Sequence, residues 1–195
     1  MRSTWLLALV GVALACGSTD PETCGPLETG AASDRSSYPS EGIGLKECNV
    51  LAAHRFKTSD GAEFSLDQDV FKDPKNRVMV LVTAANWCGA CKEEAKFLAD
   101  LHDKYASKGL VVVSALFEDR ADEPASQELV QWWMKTYKTP YRVVLDEGFQ
   151  LGKYYDKAAS PMNMVVDVDT MRIIKILQGS DPTVVQALVE AKVGR

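Results

Sequence analysis

Residues 77–117 read RVMVLVTAANWCGACKEEAKFLADLHDKYASKGLVVVSALF, two apolar runs on either side of a helix-length segment that opens on a cysteine pair. The runs RVMVLVTAA (77–85) and LVVVSALF (110–117) are apolar at successive positions, the pattern of strands buried on both faces of a sheet. Between them, the segment from Cys88 to about Ser107 closes on Lys108 and Gly109, a C-terminal helix signal. Strand, helix and strand in this order predict a right-handed parallel crossover.

Outward from that unit the pattern stays α/β. VLAAHRFKTSDGAEFSL (50–66) predicts two short strands turning at Asp60-Gly61. Over 125–137, Leu129, Val130, Trp133, Met134 and Tyr137 share one helical face, with Trp132 at its edge. YRVVLD (141–146) reads as a further strand, and MNMVVDVD and MRIIKILQG as a hairpin about Asp169-Thr170. Ser180-Asp181-Pro182 starts a last helix, with Val184, Val185 and Leu188 facing inward. This order predicts a central mixed sheet with helices on both faces and an N-terminal hairpin extension, without internal repeats.

A chain of 195 residues, 46% of them hydrophobic, can bury one core of ordinary size. Its formal charge of −5 leaves no basic footprint, which argues against nucleic acid or anionic membrane surfaces as electrostatic partners. Residues 1–15, MRSTWLLALVGVALA, carry Arg2, an apolar run from Trp5 and the small residues Ala13 and Ala15. That is the pattern of a signal peptide, too short to span a bilayer as a mature helix. Ala13-Leu14-Ala15 can be read as an ordinary A-x-A cleavage site, whereas the small residues ahead of a cysteine resemble a bacterial lipobox, with Cys16 as the lipidated first residue. Cysteine parity favours the lipid: of five cysteines, Cys24, Cys48, Cys88 and Cys91 then remain, an even set suited to an oxidising compartment. Residues 16–45, rich in Gly, Ser, Pro, Thr and acidic side chains, read as a flexible tether, and 46–195 as the globular domain. Cys24 and Cys48, in no activating context, read as a structural disulfide.

The chemistry centres on Cys88 and Cys91. A cysteine at a helix N-terminus faces unpaired amides and the positive end of the helix dipole, so the Cys88 thiol is expected below the value of about 8.5 for a free cysteine. Gly89 and Ala90 separate the two sulfurs by one helical turn, which lets Cys91 resolve a mixed disulfide formed at Cys88. At about 100° per residue, Cys91, Glu94, Leu98, Leu101 and Tyr105 fall in one sector, and Lys92, Glu93, Lys96, Asp100 and Asp103 opposite. Glu94 is therefore expected to point into the apolar face, with its carboxyl raised by burial, as a proton acceptor for Cys91. A structural zinc site needs two close ligand pairs, which Cys24 and Cys48 do not form. His54 and His102 are isolated in sequence and read as surface or boundary residues. A thiol peroxidase is disfavoured, since the chain lacks Thr-x-x-Cys before Cys88.

With the Trp87-Cys88-Gly89-Ala90-Cys91 motif, the crossover and LDEGFQLGKYYDKAASPMNMVVDVDTMRII in place, residues 46–195 resemble the thioredoxin superfamily. Within it they are similar to the TlpA/ResA-like thiol-disulfide oxidoreductases of bacterial envelopes. The resemblance implies a thioredoxin-like α/β fold with Ser160-Pro161 as a cis-proline bond lying against the disulfide. It also implies that the Ser160 backbone pairs with a bound polypeptide, that Trp87 packs beside the disulfide, and that Glu94 matches an active-site glutamate of the ResA-like members. Two positions depart from thioredoxin itself. Val82 replaces a buried aspartate, so a deprotonating carboxyl has to come from Glu94. Ala90 replaces the usual proline between the cysteines, which leaves the direction of electron flow open.

The function so implied is disulfide exchange with exported, cysteine-containing proteins, by a chain held in the bacterial envelope through lipid on Cys16 and facing the periplasm. A separate thiol-disulfide donor or acceptor would recharge it, and reduction of apocytochrome c is one activity suggested by analogy. No organic cofactor, metal or nucleic acid enters this reading. The alternative is a redox-inactive, thioredoxin-like binding or scaffold module in which the Cys88–Cys91 bond is a structural disulfide.

Overall fold

The computed structural model describes Cys24 and residues 35–194. The expected signal peptide 1–15 and Cys16 lie outside these residues. Arg55–Lys57 (β1) and Glu63–Ser65 (β2) form the first hairpin, turning where Gly61 takes a φ of 85° and Thr58 N–H donates to Ala62 O. Val78–Ala85 (β3), Gly89–Tyr105 (α1) and Leu110–Glu118 (β4) follow. Gln127–Tyr137 (α2), Arg142–Leu145 (β5), Met162–Asp167 (β6), Arg172–Gln178 (β7) and Pro182–Val193 (α3) come next. Among the described residues, seven strands make one sheet in the order β2-β1-β5-β4-β3-β6-β7. β4 runs parallel to β3 and β5, while β6 runs antiparallel to β3 and β7, so the sheet is mixed.

All eight residues of β3 are buried, which its central position requires. Val78, Val80 and Val82 face a core with Leu98 and Leu101 of α1, Val130 and Trp133 of α2, and Val185 and Val189 of α3. Met79 and Leu81 face a second core covered by a π-helical turn (Leu66–Phe71) and a 3-10 turn (Gln150–Tyr154). Helical elements thus cover both faces, long ones on one side and short ones on the other. Each large aliphatic side chain so buried contributes about 1.5–3 kcal/mol relative to exposure. The crossover closes where predicted: Gly109 takes a φ of 100°, and a Cβ there would lie 2.6 Å from the Lys75 carbonyl oxygen.

Three expectations change. His54 is buried at 5% exposure, with Nδ1 2.7 Å from Gln150 Oε1 and Nε2 2.9 Å from the Tyr154 hydroxyl. A polar ring reaches the interior there because both nitrogens are satisfied, and burial pushes its pKa down. On α3 Val185 is buried and Leu188 packs half-buried against the same core, as expected, but the second fully buried position is Val189, and Val184 is only half-buried. Within the stretch read as a tether, residues 35–45 are described, and part of them is fastened. Arg35 donates to the carbonyls of Phe71, Asp73 and Asn76 and pairs with Asp169, and Tyr38 donates to Leu51 O and packs edge-on against Phe71. Cys24 and Cys48 are joined by a disulfide, and Cys48 N–H donates to Ile173 O on the outer edge of β7.

Candidate active site

β3 ends at Ala85, and the chain turns through Asn86 and Trp87 so that Cys88 caps α1. Cys88 and Cys91 form a disulfide, and the Cys91 amide donates to Cys88 Sγ at 3.1 Å. The Cys88 sulfur thus lies at the N-terminus of α1, facing a free amide at the positive end of the helix dipole. The two residues are 4% and 3% exposed, while a Cβ on Gly89 would meet nothing within 4 Å, so the surface beside the sulfurs is open.

The segment before β6 lies against this disulfide. Ser160-Pro161 is a cis peptide bond, and Ser160 O is 3.7 Å from Cys88 Sγ. Hydroxyl and amide groups hold that segment in place. Met162 N–H donates to Thr83 Oγ1 at 2.9 Å, and Thr83 in turn meets the Tyr155 hydroxyl at 2.9 Å. Tyr155 Oη lies 3.1 Å from Ser160 Oγ, which donates to Lys157 O at 2.8 Å. From the other side, Gly179 N–H donates to both Ala159 O and Pro161 O.

Trp87 stands at the rim, 41% exposed, edge-on to Phe117, with Nε1 donating to Glu118 Oε2 at 2.8 Å. The other Glu118 oxygen takes Lys157 Nζ at 2.8 Å. Phe117 stacks on Phe149 at 4.1 Å, so the indole is backed by an aromatic wall.

Glu94 is 3% exposed on the inner face of α1, as the helical rotation requires. Its Oε1 accepts from Asn163 Nδ2 at 3.0 Å and from Ser180 Oγ at 2.5 Å, and Oε2 is buried without a partner among the described residues. Burial pushes its carboxyl pKa up, and the hydrogen bonds from Ser180 and Asn163 oppose that shift.

The fold therefore gathers Trp87, Cys88, Cys91, Glu94, Ser160 and Pro161 at one end of the sheet. Cys24 and Cys48 lie apart from them, beside β7. Sequence reasoning did not single out Thr83, Tyr155, Asn163 or Ser180. Thr83 and Asn163 carried a usable signal, each being a polar residue inside an otherwise apolar strand.

The Redoxin family profile matches residues 48–191. A thiol-disulfide oxidoreductase ResA of Bacillus cereus is 24% identical over 106 residues, which cover 54% of this chain and 58% of that relative's length. ResA of Bacillus subtilis (strain 168) is 25% identical over 146 residues, covering 71% of this chain and 78% of the relative. A crystal structure of an uncharacterised conserved protein from Geobacillus kaustophilus superposes with a TM-score of 0.65 at 20% identity, over 77% of this chain and 84% of that one. The structural likeness establishes the thioredoxin-like fold. Because the profile runs from Cys48 through the cysteine pair and Ser160-Pro161 into α3, the chain belongs to the Redoxin family, on the TlpA/ResA-like side of the thioredoxin superfamily.

Proposed function

We propose that the protein exchanges disulfides with cysteine-containing exported proteins, using Cys88 as the attacking sulfur, Cys91 as the resolving sulfur and Glu94 as the acceptor of the Cys91 proton. The carrying observation is the Cys88–Cys91 disulfide at the start of α1 beside Ser160-Pro161, under open surface at Gly89. In the reducing direction, the Cys88 thiolate attacks a substrate disulfide, and the electron pair leaves on one substrate sulfur. Cys91 then loses its proton to Glu94 and attacks Cys88 Sγ, which releases the second substrate thiol and closes the Cys88–Cys91 bond. The oxidising direction reverses these steps. Trp87 and the Ser160 backbone line the surface a substrate strand would meet. Residues 1–15 serve as signal peptide, Cys16 carries the lipid, and 16–45 link the anchor to the domain, whose thiols are recharged by a separate redox partner.

Reduced Cys91→Ser protein mixed with disulfide-bonded insulin tests the exchange. A mixed disulfide through Cys88 should accumulate, and none should form when Cys88 is replaced by Ser; absence of any adduct from folded Cys91→Ser protein overturns the reading. Intact mass of the mature chain tests the anchor, since lipid on Cys16 adds a diacylglycerol thioether. Burial of both sulfurs favours a second reading, a scaffold with a structural disulfide. Under it, the Cys88–Cys91 bond resists excess dithiothreitol while the protein stays folded.

A further inference from the structure

A buried carboxyl that accepts a proton has to lose it again before the next cycle, and its hydrogen bonds define the way out. Of the two partners on Glu94 Oε1, Asn163 is fully buried and its Nδ2 can only donate. Ser180 is different, because its residue is exposed while its hydroxyl sits 2.5 Å from Oε1. A hydroxyl both donates and accepts, so it can turn from donating to the carboxylate to accepting from the carboxylic acid, passing its own proton to water.

The surrounding backbone sets this contact. Gly179, in a left-handed turn at φ 83°, donates its N–H to Ala159 O and Pro161 O and accepts from Asn163 Nδ2 at 3.5 Å. Ser180 follows directly, ahead of Asp181, whose carboxylate caps α3 at Val184 N and is turned to that task. One turn thus grips the Ser160-Pro161 segment and presents a hydroxyl to Glu94.

We infer that Ser180 is the proton gate of the cysteine pair, a positioning residue whose hydroxyl links buried Glu94 to bulk water. The inference rests on Cys88 and Cys91 being an exchanging couple. Cys91 S–H gives its proton to Glu94, most directly at Oε2, the oxygen that Asn163 and Ser180 leave open. The Cys91 sulfur bonds to Cys88 Sγ, the Cys88–substrate bond breaks, and its electron pair stays on the departing substrate sulfur, which takes a proton from water. The Glu94 carboxyl then turns to bring that proton to Ser180 Oγ and sheds it through the hydroxyl to water, so that atoms and charge balance over the turn. Other titratable groups around Glu94 are Cys91 on α1 and Tyr141 ahead of β5, whose hydroxyl faces Ala95 O at 3.4 Å and whose pKa burial raises.

The test compares the resolution step with repeated turnover, in the mature chain. Reduced protein is mixed with excess oxidised glutathione, and the concentration-independent phase, Cys91 displacing glutathione from Cys88, is followed across pH by the change in tryptophan fluorescence, to which Trp132 and Trp133 on α2 add a background. Over repeated turnovers, sustained by a thiol reductant that reopens the Cys88–Cys91 bond, Ser180→Ala should slow the rate about tenfold, less than the roughly 10²–10⁴-fold of a complete acid-base group because water can replace the hydroxyl in part. It should also move the carboxyl limb of the profile to higher pH, because ionised Glu94 loses a donor. Ser180→Thr should restore both, and Ser180→Ala should add nothing in a Glu94→Gln background. If wild-type protein exchanges but the Ser180→Ala profile superimposes on it, or if the two substitutions add, the gate is overturned and the couple stands. If folded wild-type protein forms no glutathione adduct at all, the couple itself is overturned, and the gate with it.

Discussion

Thr83 and Tyr155 are joined hydroxyl to hydroxyl at 2.9 Å across the sheet end, and both hydroxyls are also used by the segment that faces the disulfide. Thr83 takes the Met162 amide, and Tyr155 meets Ser160. Thr83 is fully buried, so removing its hydroxyl leaves the Met162 amide without that acceptor, while the Tyr155 hydroxyl keeps Ser160.

Thr83→Val keeps the shape of the side chain and deletes the hydroxyl. It should destabilise the protein by about 1–3 kcal/mol, the cost of leaving buried polar groups unpaired. Thr83→Ser should recover most of this. Urea denaturation of the oxidised proteins decides it, and equal midpoints for wild type and Thr83→Val would contradict the network.

Glu94 makes a prediction with a sign. Burial holds its carboxyl above the ordinary value in the folded state. The stability this contributes is fully present below the unfolded-state pKa and is lost as pH rises through the folded one. Glu94→Gln, which never ionises, should therefore raise Tm of the oxidised protein at neutral pH, by about 2–4 °C for a chain of this size. The gain should shrink toward zero on acidification to about pH 4, the range of an ordinary carboxyl. A Tm difference independent of pH would show that Glu94 is not held against ionisation.

The Cys24–Cys48 bond ties positions 24 residues apart, and Cys48 is itself hydrogen-bonded to β7. Replacing both cysteines by Ser should lower stability by about 3 kcal/mol through the unfolded chain's regained freedom. Glutathione exchange at Cys88 should be unchanged, since Cys48 is fastened to the outer edge of β7 and Cys88 to the start of α1. A slower exchange would show that the N-terminal segment reaches the site.

The parts of this fold that could be read from sequence are those set by local pattern. β3 and β4 are continuous apolar runs, α1 has a cysteine cap and a glycine stop, and rotation along α1 carries Glu94 inward with Leu98 and Leu101. What could not be read depends on chain brought from far away. Asn163 and Ser180 meet Glu94 across 69 and 86 positions; the pairing of β6 with β3 brings the first there, and that of β7 with β6 brings the second. His54 looked isolated because Gln150 and Tyr154 are 96 and 100 positions distant. Arg35, in a stretch of tether composition, finds its carbonyl partners 36 to 41 positions on, at the turn before β3.

Reversible exchange at Cys88 and Cys91 is tested most directly by equilibrating the mature protein in graded thiol-disulfide buffers, alkylating, and counting modified cysteines by mass. The expected result is one two-electron step at these two residues, between about −270 and about −120 mV, with Cys24–Cys48 still bonded where the step is complete. A Cys88–Cys91 bond that stays closed in the folded protein down to the potential at which Cys24–Cys48 also opens would contradict the exchange and leave a structural disulfide in a thioredoxin-like scaffold.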